Sequence, residues 1–272
     1  MNPVTPSAPP GPLVDTHAHL DDHRLRDQLP AILDRASSAG VSQIIAIGTT
    51  AASSAGALEL AGKHRGIFAA VGIHPNEAAE TGPQDWPAIL EMIARPGVVA
   101  VGETGLDRYW HRTPFADQQA WFDRHLTLAH DHDLPIVIHC RDCQLDIRQQ
   151  LQHIGRPIRG VMHSFTGSWD DAEACLALGL HLSFAGMITF TNRALDSLRD
   201  VAAQVPLDRL LIETDSPYLT PHPFRGKLNE PGHVALTAAK LAEIRGLSPA
   251  ELATISTNNA RTLFRLPETQ TL

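Results

Sequence analysis

The stretch VVAVGETGLDRYWHRTPFADQQAWFDRHLTLAHDHDLPIVIHC, residues 98–140, decides the fold. It opens on an apolar run, VVAVGE (98–103), and closes on another, PIVIHC (135–140). Each is short and rich in Val or Ile, as a strand buried on both faces is. Between them, Thr113 to Asp131 carries Phe115, Trp121 or Phe122, Leu126 and Ala129 near helical spacing, with Pro114 in the first turn. Strand, helix and strand in succession form the repeating unit of a parallel sheet.

Six more runs of the same kind flank this unit: LVDTH (13–17), VSQIIAIG (41–48), IFAAVGI (67–73), RGVMHS (159–164), LHLSFAG (180–186) and RLLIET (209–214). Helix-like segments separate them. Eight strands, each followed by a helix, predict a parallel (β/α)8 TIM barrel, an α/β fold that typically needs about 250 residues. The chain has 272, so one barrel over residues 13–266 accounts for nearly all of it. Gly232 to Phe264 reads as two further helices outside the barrel. Residues 1–12, MNPVTPSAPPGP, hold five prolines and no charged side chain, and read as a flexible tail.

Composition narrows the function classes. At 43% hydrophobic and 19% charged residues, the chain has the apolar material for a large core and is not a disordered polymer. Three cysteines in no paired pattern exclude a disulfide scaffold and a Cys-rich zinc module. The first twelve residues hold no apolar run long enough for a signal peptide, and no run elsewhere reaches transmembrane length, so a soluble, cytoplasmic protein is expected. A net charge of −8 argues against a basic groove wrapping a duplex, but not against an enzyme gripping a few phosphates. Histidine stands out, at 15 residues against 22 Lys and Arg together.

The active site of such a barrel lies at the C-terminal ends of its strands, and there the runs end on chemical residues. The first leaves through Asp15, His17 and His19; the others through His74, Glu103, His139, His163 and Asp215. His17 and His19, two apart on a strand, point to one face. A single histidine at a strand end is commonly only a polar terminus. Five histidines converging on one rim with Glu103 and Asp215 have no packing rationale, and neutral imidazoles with carboxylates are ordinary ligands of a divalent metal. Four histidines and two carboxylates exceed one tetrahedral zinc site and fit two ions about 3.5–4 Å apart. Glu103 is the natural bridge. His17, His19 and Asp215 would complete one shell, and His139 and His163 the other.

These segments resemble the TatD family of metal-dependent deoxyribonucleases, within the wider amidohydrolase superfamily. The matching pieces are DTHAHL (15–20), VGIHPNEA (71–78), VGETGLDRYW (101–110), LPIVIHCRD (134–142), GVMHSFTGS (160–168) and ETDSPYLTPHPFRGKLNEP (213–231). They span almost the whole chain past the tail, and the last is the most specific. The resemblance implies that His17, His19, Glu103, His139, His163 and Asp215 are the metal ligands, the set already reached from the strand ends. It also implies DNA as substrate, cut from the 3′ end, with RNA possible. Two departures stand out. Residues 74–76 read His-Pro-Asn, where a second histidine is common, and residues 163–165 read His-Ser-Phe in place of the usual His-Cys-Phe. Neither removes a ligand; the first bears on substrate contacts near His74.

The expected chemistry is phosphodiester hydrolysis, with the partner a single strand or strand end of nucleic acid. Two divalent ions (Mg2+, Zn2+ or Mn2+) activate a water, Glu103 bridges them, and Asp215 orients the water and takes its proton. His74, Arg141 and Arg225 are the candidate substrate-binding residues, the two arginines offering planar forks to phosphate. Arg141 reads equally as a structural ion-pair partner. Asp107 reads either as a turn-forming cap or as a partner to a ligand or substrate. Tyr109 and Trp110 read either as a stacking surface for a terminal base or as a lid over the core. Asn229 and Glu230 read as pins of the 214–229 loop. His125 and the remaining histidines read as surface or packing residues. The alternative activity is that of an amidohydrolase on a cyclic amide or ester using the same metals; the absence of a lysine at any strand end weighs against the carboxylated-lysine bridge common there. A non-enzymatic metal-binding protein is poorly motivated, because an open two-metal site would still activate water.

Overall fold

The computed structural model describes residues 11–155, 157–268 and 272. Eight parallel strands follow one another around the sheet in chain order: β1 (Leu13–Ala18), β2 (Val41–Ile47), β3 (Ile67–Val71), β4 (Val98–Asp107), β5 (Ile136–Arg141), β6 (Gly160–Met162), β7 (His181–Phe184) and β8 (Leu210–Ile212). The barrel is completed just past the strand ends. A parallel bridge joins Ala18 to Ser216, the Asp215 N–H donates to the His17 carbonyl at 2.9 Å, and the His19 N–H donates to the Ser216 carbonyl at 2.8 Å.

Helices alternate with the strands. They are α1 (His23–Arg26), α2 (Leu29–Ser38), α3 (Ala51–Lys63), α4 (Asp85–Met92), α5 (Phe115–Asp131), α6 (Gln144–His153), α7 (Trp169–Ala177), α8 (Asp196–Gln204), α9 (Val234–Arg245) and α10 (Pro249–Phe264). Local chemistry fixes several starts. Ser168 with Asp171 and Ser248 with Glu251 form reciprocal capping boxes at α7 and α10. No described helix is long and apolar enough to cross a membrane.

Two apolar clusters account for the packing. The larger joins the outer strand faces to the helices. The smaller fills the barrel interior with Val14, Ile45, Ile47, Phe68, Ala70, Ala100, Val137, Val161 and Leu211, together with Leu263 and Phe264 from the end of α10. Side chains two apart on a strand share a face. Val137 is therefore followed inward by His139, Val161 by His163, and Leu211 by Glu213. The polar site is the upper continuation of the barrel's apolar interior.

Two sequence expectations change here. VVAVGE was expected to end a strand at Glu103, but β4 continues to Asp107. Gly105 makes this possible: it takes φ 139°, and a Cβ there would lie 2.1 Å from the His139 carbonyl oxygen. The glycine serves as a close approach of β4 to β5. Cys140 and Cys143, read as unpatterned, lie with sulfurs 3.7 Å apart as free thiols. Of the expected tail, residues 1–10 lie outside the described residues, and Pro12 accepts a hydrogen bond from the Thr257 hydroxyl of α10.

Candidate metal centre

Glu103, deeply buried within β4, is the hub. Its Oε1 lies 2.9 Å from His139 Nδ1, 2.9 Å from His163 Nε2 and 3.5 Å from His74 Nε2. Its Oε2 lies 3.3 Å from His17 Nε2 and 3.7 Å from His19 Nε2. The carboxylate thus divides the histidines between its two oxygens. Asp215 closes the His17–His19 side, its Oδ1 at 3.4 Å from His19 Nε2 and 3.8 Å from His17 Nε2. It sits at φ 56°, a left-handed conformation that Asp tolerates better than most residues. All six sequence-predicted ligands and His74 therefore meet at one end of the barrel.

The donor set suits cations. His17 Nε2 faces His19 Nε2 at 3.3 Å, and His139 Nδ1 faces His163 Nε2 at 3.3 Å. Basic nitrogens this close, with carboxylate oxygens beside them, call for positive charge between them, whether a proton or a metal ion. Three groupings place ligand atoms close enough to share an ion: His17, His19 and Glu103; His17, His163 and Asp215; and His74, Glu103 and His139.

Ring partners distinguish the histidines. His139 donates from Nε2 to Asp107 Oδ2 at 3.1 Å, which turns its Nδ1 lone pair toward Glu103 and His163. His163 Nδ1 lies 3.3 Å from Glu213 Oε1. His74 differs: its Nδ1 accepts the Asn76 backbone N–H at 3.0 Å, so the neutral ring carries its proton on Nε2 and points it into the site. It is a donor there, although distance alone would group it with the ligands.

The ionisation follows from the same contacts. Burial alone would raise the Glu103 carboxyl, but the charge of His163 and the hydrogen bond from His139 hold it well below the ordinary range. Burial works against charging His163, yet Glu103 and Glu213 raise it well above the usual value. His19 is likewise raised against burial, to about 8, by Asp215 and Glu103. Burial lowers His74 to about 4, keeping it neutral. The field of this rim favours cationic occupants and ionised carboxylates.

Asp107 fills both of its possible roles. Its Oδ1 accepts the backbone N–H groups of Tyr109 and Trp110 at 2.8 and 2.9 Å, while its Oδ2 holds His139. Arg141 leaves β5 two residues after His139 and stacks its guanidinium 3.7 Å above the Tyr109 ring. Arg225 has no hydrogen bond or ion pair with the cluster among the described residues; it is exposed and lies 3.8 Å over Phe190. Asn229 pins its loop as expected, donating to the carbonyls of Thr214 and Tyr218. Asp15, counted among the rim exits, lies fully buried beneath the cluster and accepts from the Thr214 N–H and hydroxyl. It ties β1 to the segment after β8, and burial raises its pKa to about 8. Sequence reasoning passed over Glu213. Its signal was the alternation that found the other residues, since it follows inward-facing Leu211 by two.

Three comparisons bear on this centre. Residues 14–265 match the family model described as TatD related DNase. The chain is 40% identical over 255 residues to the uncharacterized metal-dependent hydrolase YabD of Bacillus subtilis, covering 93% of this chain and 99% of that one. It is 35% identical over 260 residues to the 3′-5′ ssDNA/RNA exonuclease TatD of Pantoea vagans, covering 93% and 100%. The crystal structure of the TatD homologue YjjV of Escherichia coli K12 superposes with a TM-score of 0.89 at 35% identity, covering 94% of this chain and 98% of that one.

Proposed function

The chain belongs to the TatD family of metal-dependent hydrolases, and from that premise we propose that it is a phosphodiesterase. It removes nucleotides from the 3′ end of single-stranded DNA, with RNA a second substrate. The observation that carries this reading is the division of Glu103, one oxygen toward His17 and His19 and the other toward His139 and His163. His17, His19 and Asp215 with one Glu103 oxygen would hold one divalent cation. His139 and His163 with the other oxygen would hold a second. Two such cations would supply a lowered pKa for a bound water and charge stabilisation for the phosphoryl oxygens. The name of the Pantoea vagans relative supports a nucleic-acid substrate.

The protein's own groups divide the remaining work. Asp215, ionised and partly exposed at the mouth, accepts the proton of the attacking water. His74, neutral with its proton on Nε2, donates to an anionic oxygen of the substrate. Asp107 keeps His139 in the tautomer that offers Nδ1 to the centre. Arg141, with no carboxylate at ion-pair distance among the described residues, is available to a phosphate.

The test is incubation of purified protein with Mg2+, Mn2+ or Zn2+ and a 5′-labelled oligonucleotide, beside a panel of lactones and cyclic amides. Stepwise shortening from the 3′ end, with two ions per chain by elemental analysis, supports the reading. Turnover of a lactone or cyclic amide with intact oligonucleotide overturns it.

A further inference from the structure

Beside the proposed metal centre stands a pair of exposed aromatic rings. Tyr109 is 50% exposed and Trp110 44%. They stand edge to face at 86°, centroids 5.0 Å apart, forming an L-shaped corner. The Arg141 guanidinium covers one face of Tyr109 at 3.7 Å and lies 5.9 Å from the Trp110 ring. Its N–H edges remain free of carboxylate partners among the described residues. Trp110 also borders a cleft of about 370 Å³ into which His111 and Arg112 face.

The position of this corner is set by the catalytic end of the barrel. One oxygen of Asp107 accepts both ring-bearing backbone N–H groups, and the other holds His139. The β4–β5 pairing places Asp107 directly opposite Arg141. The rings and the cation are thus fixed to the same carboxylate that orients a proposed ligand. A protein-docking patch needs roughly 800 Å² per partner and no tether to a ligand histidine. Two rings and one guanidinium are the size of a nucleotide.

Resting on the phosphodiesterase reading above, we propose that Tyr109, Trp110 and Arg141 form the subsite of the nucleotide adjoining the scissile bond. Its unpaired base stacks in the ring corner, and its phosphate meets the Arg141 fork. A base held in a duplex is stacked on its neighbours and cannot enter the corner, so this subsite is the source of preference for single-stranded ends. Stacking of one base on protein rings is worth about 10- to 100-fold in affinity.

The experiment uses the metal-loaded full chain, a hexathymidylate, and two versions carrying an abasic tetrahydrofuran residue at the terminal or the penultimate position. KM, kcat and equilibrium binding by fluorescence anisotropy are measured for each. One abasic version is expected to show KM and Kd about 10- to 100-fold higher than the intact strand, with kcat changed only a few-fold. Trp110→Ala and Tyr109→Leu should bring the intact strand to the same weak value and abolish the difference between intact and abasic strands. Trp110→Phe should restore most of it. Wild-type protein that handles all three strands alike overturns the subsite and leaves the phosphodiesterase reading standing. Variants that slow intact and abasic strands by one common factor also overturn it, because that marks a structural role. Tighter binding of the intact strand without cleavage of any strand supports the subsite and overturns the phosphodiesterase reading instead.

Discussion

Histidine is buried in two regions of this barrel, and the two use it in opposite ways. In the wall, His125 of α5 is fully enclosed, with its ring against Trp86. Its Nδ1–H donates to the Trp121 carbonyl at 2.7 Å, and its Nε2 accepts the Ile73 backbone N–H at 3.0 Å. Both nitrogens are satisfied by backbone, and burial lowers its pKa to about 4. At the rim, His17 and His163 are just as enclosed and stack at 4.1 Å, but their inward nitrogens face other imidazoles and a carboxylate. His163 is raised well above its usual value there. Burial therefore does not tell a packing histidine from a chemical one. What each ring nitrogen touches does, and above all whether a carboxylate is within reach.

The largest break in that comparison comes from removing the rim's central charge. Glu103→Gln keeps the shape, loses the negative charge and places an amide against one of the two histidine sets. Two proposed cations would then repel without compensation in a partly dry site. At least one ion per chain should be lost, and hydrolysis should fall by on the order of 10³-fold or more, the several kcal/mol a metal contributes to transition-state charge. Circular dichroism should be unchanged, because the apolar interior lies below this residue. Elemental analysis and oligonucleotide cleavage provide the measurement. Two retained ions with a normal rate would show that the rim is not organised around Glu103.

Why the rim was legible and parts of its support were not follows from the periods of the chain. Val/Ile runs ending in His, Glu or Asp mark strands and their upper ends together, so His17, His19, His139 and His163 could be read from one pattern. Long-range register could not. The strand β4 reads as ending at Glu103 because nothing local shows the β5 carbonyl that leaves room only for a glycine at Gly105. Asp15 looks like a rim residue because its partner, Thr214, lies 199 positions away. The placement of Arg225 over Phe190 depends on a loop path that no periodicity encodes, whereas the Cys140–Cys143 approach follows from their spacing of three residues. The helical position of His125 marks it only as a surface or packing residue; its satisfied nitrogens decide for packing.

A smaller break acts through Asp107, which belongs to the rim but holds its histidine as the wall holds His125, through the far nitrogen. Asp107→Asn keeps an oxygen for the Tyr109 and Trp110 amides and turns an amide NH2 toward His139 Nε2. Donor then meets donor, and the ring loses its preference for presenting Nδ1 to the centre. Loss of such a supporting carboxylate costs about 10- to 100-fold in metal affinity or activity. Metal titrations should show weaker binding, beside a stability loss of about 1–3 kcal/mol because Asn76 Nδ2, which donates to the same Asp107 oxygen at 2.9 Å, loses its acceptor. A variant with wild-type metal affinity would mean that Glu103 alone orients His139, and the ring-partner distinction would lose its force.

The smallest effect belongs to the wall and appears only in stability. The folded protein keeps His125 neutral down to about pH 4, whereas an unfolded histidine takes its proton near pH 6.5. Between those values the unfolded chain binds more protons, so this residue's contribution to stability is full above pH 6.5 and declines as pH falls toward 4. Between pH 7.5 and pH 5 that decline amounts to roughly 2 kcal/mol. His125→Gln cannot titrate. It should cost about 1–3 kcal/mol at pH 7.5, because two backbone groups lose well-placed partners, and should then lose about 2 kcal/mol less than the wild type on acidification. His74 and His181, also lowered to about 4, are common to both proteins and cancel in the difference. Urea unfolding at the two pH values measures it, with metal content and turnover at pH 7.5 as controls that should stay within about two-fold, since a wall residue makes no contact with the transition state. If acidification costs both proteins equally, His125 is already protonated in the folded wall, and the contrast drawn from its backbone partners fails. If turnover falls with it as it does for Glu103→Gln, the wall and the rim are not separable regions.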